Sequence, residues 1–171
     1  VGGDVSSTWD AVCAGVSGIG PITRFDATGL PVRFAAEAAD IPAHPEAQGD
    51  LKLALAVTAL REAVAHCGDI SGPRTGVCMG SEIGRPSLEM LANGFADGRP
   101  PDPTEVARMD PAAPTRLVAQ ITGASGPQST VSTACTSSSQ AVGEGLLRIR
   151  RGDADCMVVG GVDVLVDAIM I

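Results

Sequence analysis

A layered α/β fold, with a mixed or parallel sheet covered by helices on both sides, is the architecture that this sequence predicts. Three observations carry it. In the last third, strand-like and helix-like runs alternate: a β-branched run over residues 128–134, a helical stretch over 136–151, then the continuous apolar run Cys156-Met157-Val158-Val159. An apolar run without alternation suits a strand buried on both faces, and strands alternating with helices build layered sheets. Hydrophobic residues make up 44% and charged residues 19% of the 171, which supplies a packed core. Tyr is absent, Phe and Trp number 3 and 1, and Gly numbers 21, so that core is built from Ala, Val, Leu and Ile in close layers.

Each element has its own signal. Ser6-Ser7-Thr8 before Trp9-Asp10-Ala11-Val12 predicts a capped short helix that ends in a loop at Gly15 and Gly18-Ile19-Gly20-Pro21. Val32 to Ala39 has weak strand character, and Pro42-Ala43-His44-Pro45 is a breaker. From Asp50 to Cys67 the pattern is helical, with a stripe at Leu51, Leu55, Ala59 and Ala63 and Gly68 as its stop. Arg74 to Gly80 reads as a short strand entering a glycine turn. Pro86 to Phe95 predicts a helix with Pro in its first turn. Residues 97–114 hold five prolines and read as a long surface loop. Thr115 to Thr122 is a short helix closed by Gly123, and Gly152 ends the helix over 136–151.

The length suits one domain or half of a larger one. Val1-Gly2-Gly3-Asp4 reads like the middle of a loop, and Asp167-Ala168-Ile169-Met170-Ile171 carries no capping signal, so the expectation is a fragment cut at both ends. A formal charge of −8 argues against nucleic acid as a partner. No apolar run approaches the roughly 20 residues of a membrane span. The five cysteines, at 13, 67, 78, 135 and 156, contain no CxxC pair, which speaks against a zinc site or redox couple. They read as cytosolic thiols, with Cys13, Cys67, Cys78 and Cys156 as packing residues. Asp153, Asp155 and Asp163 form no ligand cluster, so no metal is expected. Arg148, Arg150 and Arg151 suit the dipole at a helix C-terminus, with a patch for an acidic partner as the second reading.

The segment with chemistry is Ser125 to Gly145, which passes from strand to helix at Cys135. The first N–H groups of a helix lack partners and carry partial positive charge. A thiolate beside them is favoured and makes a nucleophile, and the same N–H groups can hold an oxyanion. Ser and Thr after Cys135 suit a first turn. Gly143 and Gly145 cost about 1 kcal/mol each inside a helix, so a neighbour must approach that face closely. Taken alone, the segment admits both a reactive cysteine and a small buried one at a strand end.

Ser132-Thr133-Ala134-Cys135-Thr136-Ser137-Ser138-Ser139 closely resembles the active-site block of β-ketoacyl-acyl-carrier-protein synthases, the ketosynthases of the thiolase superfamily. Ser17-Gly18-Ile19 with Pro21-Ile22-Thr23-Arg24-Phe25-Asp26 is similar to that family's early SGI–pitrFD stretch. Gly80-Ser81-Glu82-Ile83-Gly84 resembles its GSGIGG turn. Gly126-Pro127 resembles the pair before the nucleophile strand, and Ile149, Gly152-Asp153-Ala154-Asp155 and Val159-Gly160-Gly161 the block after it. The pieces occur in family order along nearly all of the chain.

The resemblance implies the N-terminal half of a thiolase-like fold over residues 1–171. It implies acyl transfer from acyl carrier protein to Cys135, whose own N–H is one oxyanion donor. Decarboxylative condensation with malonyl-acyl carrier protein follows. No cofactor is implied beyond the carrier's phosphopantetheine. Two histidines and a lysine of the family lie in its C-terminal half; His44, His66 and Lys52 match none of them, so these residues alone are expected to be acylated and not to condense. Ile83 aligns with a position lining the acyl pocket. Glu82 and Arg85 stand where glycines are usual, which puts the local backbone in question. The strand 128–133 corresponds to one that pairs across a two-fold axis, so a homodimer or heterodimer is expected, with a cytoplasmic location. The blocks fit fatty acid and type II polyketide synthesis alike. A coenzyme A-dependent thiolase is disfavoured by the serines after Cys135, and a non-catalytic partner or scaffold subunit by the cysteine itself.

Overall fold

In the computed structural model, β3 (Thr75–Gly80) is the middle strand of its sheet and is buried at every position. The structure describes residues 1–84, 88–100, 102–168 and 170–171. The chain divides into two units, residues 1–42 with 164–171, and residues 43–163.

In the first unit, α1 (Val5–Cys13) is capped by Asp4, not by Ser6–Thr8. The Ser7 N–H donates to Asp4 Oδ1 at 2.7 Å and Ser7 Oγ accepts from the Asp4 N–H at 3.3 Å, a reciprocal box that outcompetes a cap one turn later. The loop expected around Gly18–Pro21 contains a strand instead. β1 (Ile19–Pro21) pairs antiparallel with β2 (Phe34–Ala36), a shorter strand than 32–39. Glu37 closes this unit's second link. Its carboxylate accepts from the Thr23 hydroxyl at 2.6 Å and from the Thr23 and Arg24 N–H groups, and the hydroxyl above all holds its carboxyl below the ordinary value.

The second unit is a three-layer α/β arrangement. β3 is flanked by β4 (Gln128–Val131) and β5 (Cys156–Gly161), both parallel to it, in the order β4-β3-β5. Alternation along β3 sends Val77 and Met79 to one face. There they pack with Leu60 of α2 (Leu51–Val64), with Val118 and Ala119 of α5 (Ala113–Thr122), and with Ala124. Gly76, Cys78 and Gly80 point to the other face, which α6 (Ser137–Arg150) covers. The layered α/β expectation therefore holds. The strand buried throughout is β3, whereas β5, on the outside of this sheet, is half-buried and runs on through both glycines.

Other expectations shift. α2 starts after its cap Asp50, which accepts from the Leu53 N–H, and ends at Val64 rather than Cys67. Its buried side is Lys52, Ala56, Val57 and Leu60, one position away from the expected stripe. Val57 and Leu60 bury more apolar surface than Ala59 and Ala63, so the helix turns toward them. Residues 97–114 are not all loop: α4 (Pro103–Met109) lies within them, capped by Asp102 with Pro103 in its first turn. The helix expected from Pro86 is α3 (Leu88–Asp97); Pro86 itself lies outside the described residues. α5 begins two residues before Thr115 and ends on left-handed Gly123 as expected. The Thr115 and Thr130 hydroxyls meet at 2.6 Å and join α5 to β4.

Close approach explains Gly80 and Gly145. A Cβ on Gly80 would lie 2.5 Å from the Ser137 carbonyl carbon, and one on Gly145 would collide with the Val159 side chain. Gly143 meets nothing within 4 Å, so only one of the two helix glycines answers to packing. Arg74 joins the starts of β3 and β5: its Nε donates to Asp155 Oδ2 at 3.0 Å and its Nη1 to the Gly152 carbonyl at 2.9 Å. That guanidinium holds the Asp155 carboxyl below its ordinary value.

Gly80→Ala should destabilise the chain by about 1–3 kcal/mol in urea titration, because backbone rather than a flexible side chain blocks the methyl group. The Asp155 contribution is full above the carboxyl's unfolded value and fades as pH falls through its lower folded value. Urea midpoints of wild type and Asp155→Asn should therefore differ at pH 7 and converge at pH 2–3, with the wild type losing more on acidification.

Candidate active site

The site forms where β4 gives way to α6. β4 stops at Val131, three residues before the expected end, and a single 3-10 turn (Ala134–Thr136) precedes the helix. Ala134 is left-handed, at φ 52°. Such a conformation costs a residue with a Cβ about 1–2 kcal/mol. Three side chains hold it. The Ala134 N–H donates to Glu82 Oε1 at 2.7 Å. Ser137 Oγ accepts from the Thr133 N–H and donates to the Ala134 carbonyl, both at 2.8 Å. Thr136 Oγ1 donates to the Thr133 carbonyl at 2.9 Å. One hydrogen bond to a charged group contributes about 1.5–3 kcal/mol, enough to offset the left-handed alanine.

Cys135 follows directly and is exposed. It stands two residues ahead of α6, just before the Thr136 cap, rather than on the helix itself. Its own N–H meets no acceptor among the described residues. A thiol in the open, next to a free N–H and the first turn of a 14-residue helix, can attack a carbonyl carbon and offer a donor to the resulting oxyanion.

The other candidate residues separate clearly. Ile83 is 60% exposed in the turn after β3, and Glu82 beside it ties that turn to the turn of Cys135. Arg85 lies outside the described residues. His44 is buried at 9% exposure, with Nε2 2.8 Å from Thr58 Oγ1. Because the Thr58 hydroxyl donates to the Ala54 carbonyl, the imidazole Nε2 donates to Thr58, a structural contact. His66 is exposed beyond the end of α2. Lys52, in contrast, is buried at 5% exposure and its Nζ donates to the Glu82 carbonyl at 3.0 Å.

Glu82 and Lys52 are the supports that sequence reasoning missed. The available signals were an acidic residue inside a glycine turn and the only lysine of the chain placed within a helix. Among the other cysteines, Cys78 is buried and Cys156 half-buried, but Cys13 and Cys67 are exposed and do not serve packing. Arg148 pairs with Glu144 at 2.8 Å and with Asp153 at 3.6 Å, and Arg74 takes Asp155. Both aspartates are thus engaged by arginines.

A parallel α/β layer that presents a cysteine on a strand–turn–helix junction is the class of architecture defined here, and solved ketosynthases share it. The solved ishigamide ketosynthase/chain length factor superposes with a TM-score of 0.78 at 28% identity, over 94% of this chain and 44% of that one. The type II polyketide ketosynthase AntDE, solved with the acyl carrier protein AntF, has the same fold at 20% identity and TM-score 0.75, over 98% and 43%. The sequence model of the β-ketoacyl synthase N-terminal domain matches residues 1–171, and the chain belongs to that family. It is 32% identical to 3-oxoacyl-[acyl-carrier-protein] synthase 2 of Staphylococcus aureus strain N315, over 95% of this chain and 42% of the relative. The chain thus spans less than half the length of the relatives it matches.

Ser137→Ala removes both the acceptor for Thr133 and the donor to Ala134, so it should cost about 1–3 kcal/mol in urea titration. Ala134→Gly, which takes the left-handed conformation without a Cβ, should leave stability within about 1 kcal/mol of wild type.

Proposed function

We propose that this chain is the nucleophile-bearing half of a β-ketoacyl-acyl-carrier-protein synthase, a condensing acyltransferase of fatty acid or polyketide synthesis. The exposed Cys135 with its unpaired N–H is the observation that carries the reading. The Cys135 sulfur attacks the carbonyl carbon of an acyl thioester on acyl carrier protein. The tetrahedral oxyanion is held by the Cys135 N–H, the carrier's C–S bond breaks, and the departing thiolate takes a proton. Malonyl on a second carrier then loses carbon dioxide, and its carbanion attacks the acyl-enzyme carbonyl. A carbon–carbon bond forms, the Cys135–acyl bond breaks and the sulfur is regenerated. Residues from the rest of the protein serve that second step.

Acyl carrier protein as the partner is supported by the structural neighbour solved with one. Ile83, on the turn joined to that of Cys135, is proposed to border the acyl chain. No cofactor beyond the carrier's own phosphopantetheine takes part. The outer position of β4 in its sheet supports pairing of strand 128–133 with a second subunit, as homodimer or heterodimer. Five free thiols support a cytoplasmic setting. The presence of Cys135 favours a catalytic role over that of a scaffold subunit.

Incubation with an acyl thioester of acyl carrier protein should add one acyl mass to the chain, located on Cys135 by peptide mass spectrometry and absent from Cys135→Ala. With malonyl-acyl carrier protein added, these 171 residues should yield no β-ketoacyl product. Failure of Cys135 to acylate, or acylation spread equally over Cys13 and Cys67, would sink the proposal.

A further inference from the structure

We propose that Glu82 and Lys52 are positioning residues for the nucleophile: the Glu82 carboxylate holds the turn that presents Cys135, and buried Lys52 holds Glu82 from behind. The inference rests on the reading of Cys135 as the nucleophile. Glu82 Oε1 accepts from the Ala134 N–H at 2.7 Å across a sequence separation of 52 residues. The backbone of Glu82 is itself anchored, since its carbonyl accepts from Lys52 Nζ at 3.0 Å and from Ser81 Oγ at 3.3 Å. Ser81 is almost fully buried, and its N–H donates to the Val131 carbonyl, the last residue of β4. One bonded path thus runs from α2 through the turn after β3 to the residue before the sulfur.

The geometry distinguishes positioning from folding. Ser137 braces the same turn independently, through the Thr133 N–H and the Ala134 carbonyl. Loss of the Glu82 carboxylate therefore leaves the turn formed but takes the acceptor from the Ala134 N–H, so that the Thr133–Ala134 peptide is held on its carbonyl side alone, and Cys135 is the next residue along. A glycine at position 82, as in the turn this segment resembles, has no atom that reaches Ala134. The support is a property of this chain's own residues. Glu82 touches no reacting atom in this scheme; it acts through Ala134.

The test uses the 171-residue chain and two readouts at each thiol. Iodoacetamide labelling, resolved by peptide mass spectrometry, reports the Cys135 sulfur, with exposed Cys13 and Cys67 as internal references. Acylation by an acyl thioester of acyl carrier protein is followed in parallel. Glu82→Ala should slow both reactions of Cys135 by about tenfold or more. Its half-saturating thioester concentration and its labelling of Cys13 and Cys67 should stay at wild-type values. Glu82→Gln keeps an acceptor oxygen and should recover to within about threefold of wild type.

Wild-type labelling of Cys135 in Glu82→Ala overturns the proposal, and so does equal slowing by Glu82→Ala and Glu82→Gln with unchanged thermal unfolding. Should Glu82→Ala not fold, Lys52→Met decides: several-fold slower labelling of Cys135 supports the proposal, and unchanged labelling overturns it. The two readings fail separately. Variant-dependent alkylation with no acylation in any form defeats the condensing-enzyme proposal alone. Acylation that ignores Glu82 defeats this inference alone.

Discussion

The site depends on how closely α6 lies against the glycine face of the sheet. Gly80 at the end of β3 sits under the backbone of Ser137 and Ser138, and Gly161 at the end of β5 sits under the Ser138 side chain. Any side chain there would push the first turn of α6 outward and carry Cys135 with it. Because β3, β4 and β5 are parallel, their carboxyl ends lie side by side, where α/β sheets place ligands. The ladder even extends past the strands, through Ser81 N–H to the Val131 carbonyl and Val162 N–H to the Gly80 carbonyl. The turn holding Glu82 and the turn holding Cys135 are neighbours for that reason.

What was legible in the sequence follows the range of the forces involved. The Cys135 turn was legible because strand propensity, a run of small hydroxyl residues and a helix follow one another within a few residues. α5 and its left-handed Gly123 were legible for the same reason. The phase of α2 was not. Two faces one position apart both offer apolar residues at i+4 spacing, the buried one despite Lys52, and the partner surface on α5 and β3 selects Leu60 over Ala59 and Ala63. α4 hid among prolines, although Asp102-Pro103 is itself a helix start. The β1–β2 pairing was hidden by Gly20 and Pro21, which read as loop and yet fit a short outer strand.

The support of Cys135 was the least legible part, because it is a contact between distant residues. Nothing near Ala134 in sequence announces that its N–H will find a carboxylate from the turn after β3. Read locally, an acidic residue in place of a glycine at 82 looks like damage to a turn. In three dimensions the substitution supplies the acceptor that a left-handed alanine needs. The conformational cost at Ala134 and the charged hydrogen bond that offsets it are of similar size, a few kcal/mol at most.

Lys52 is subject to a similar balance. A buried ammonium is expensive unless its protons find acceptors. Here the Glu82 carbonyl takes one of them, and Asp110 at the approach to α5 feels the same charge. The Asp110 carboxyl is held below its ordinary value chiefly by the Ala112 N–H and the Arg116 guanidinium, with Lys52 adding to the effect. A polar contact thus joins α2 to the turn after β3, while the Asp110–Arg116 pair at the start of α5 lies at the surface. A hydrophobic residue at position 52 would pack against the same neighbours, but it would leave the Glu82 carbonyl with only the longer bond from Ser81. The chain keeps a charge in its interior where that charge fixes the backbone carrying Glu82, and through it the peptide that sets the direction of the Cys135 sulfur.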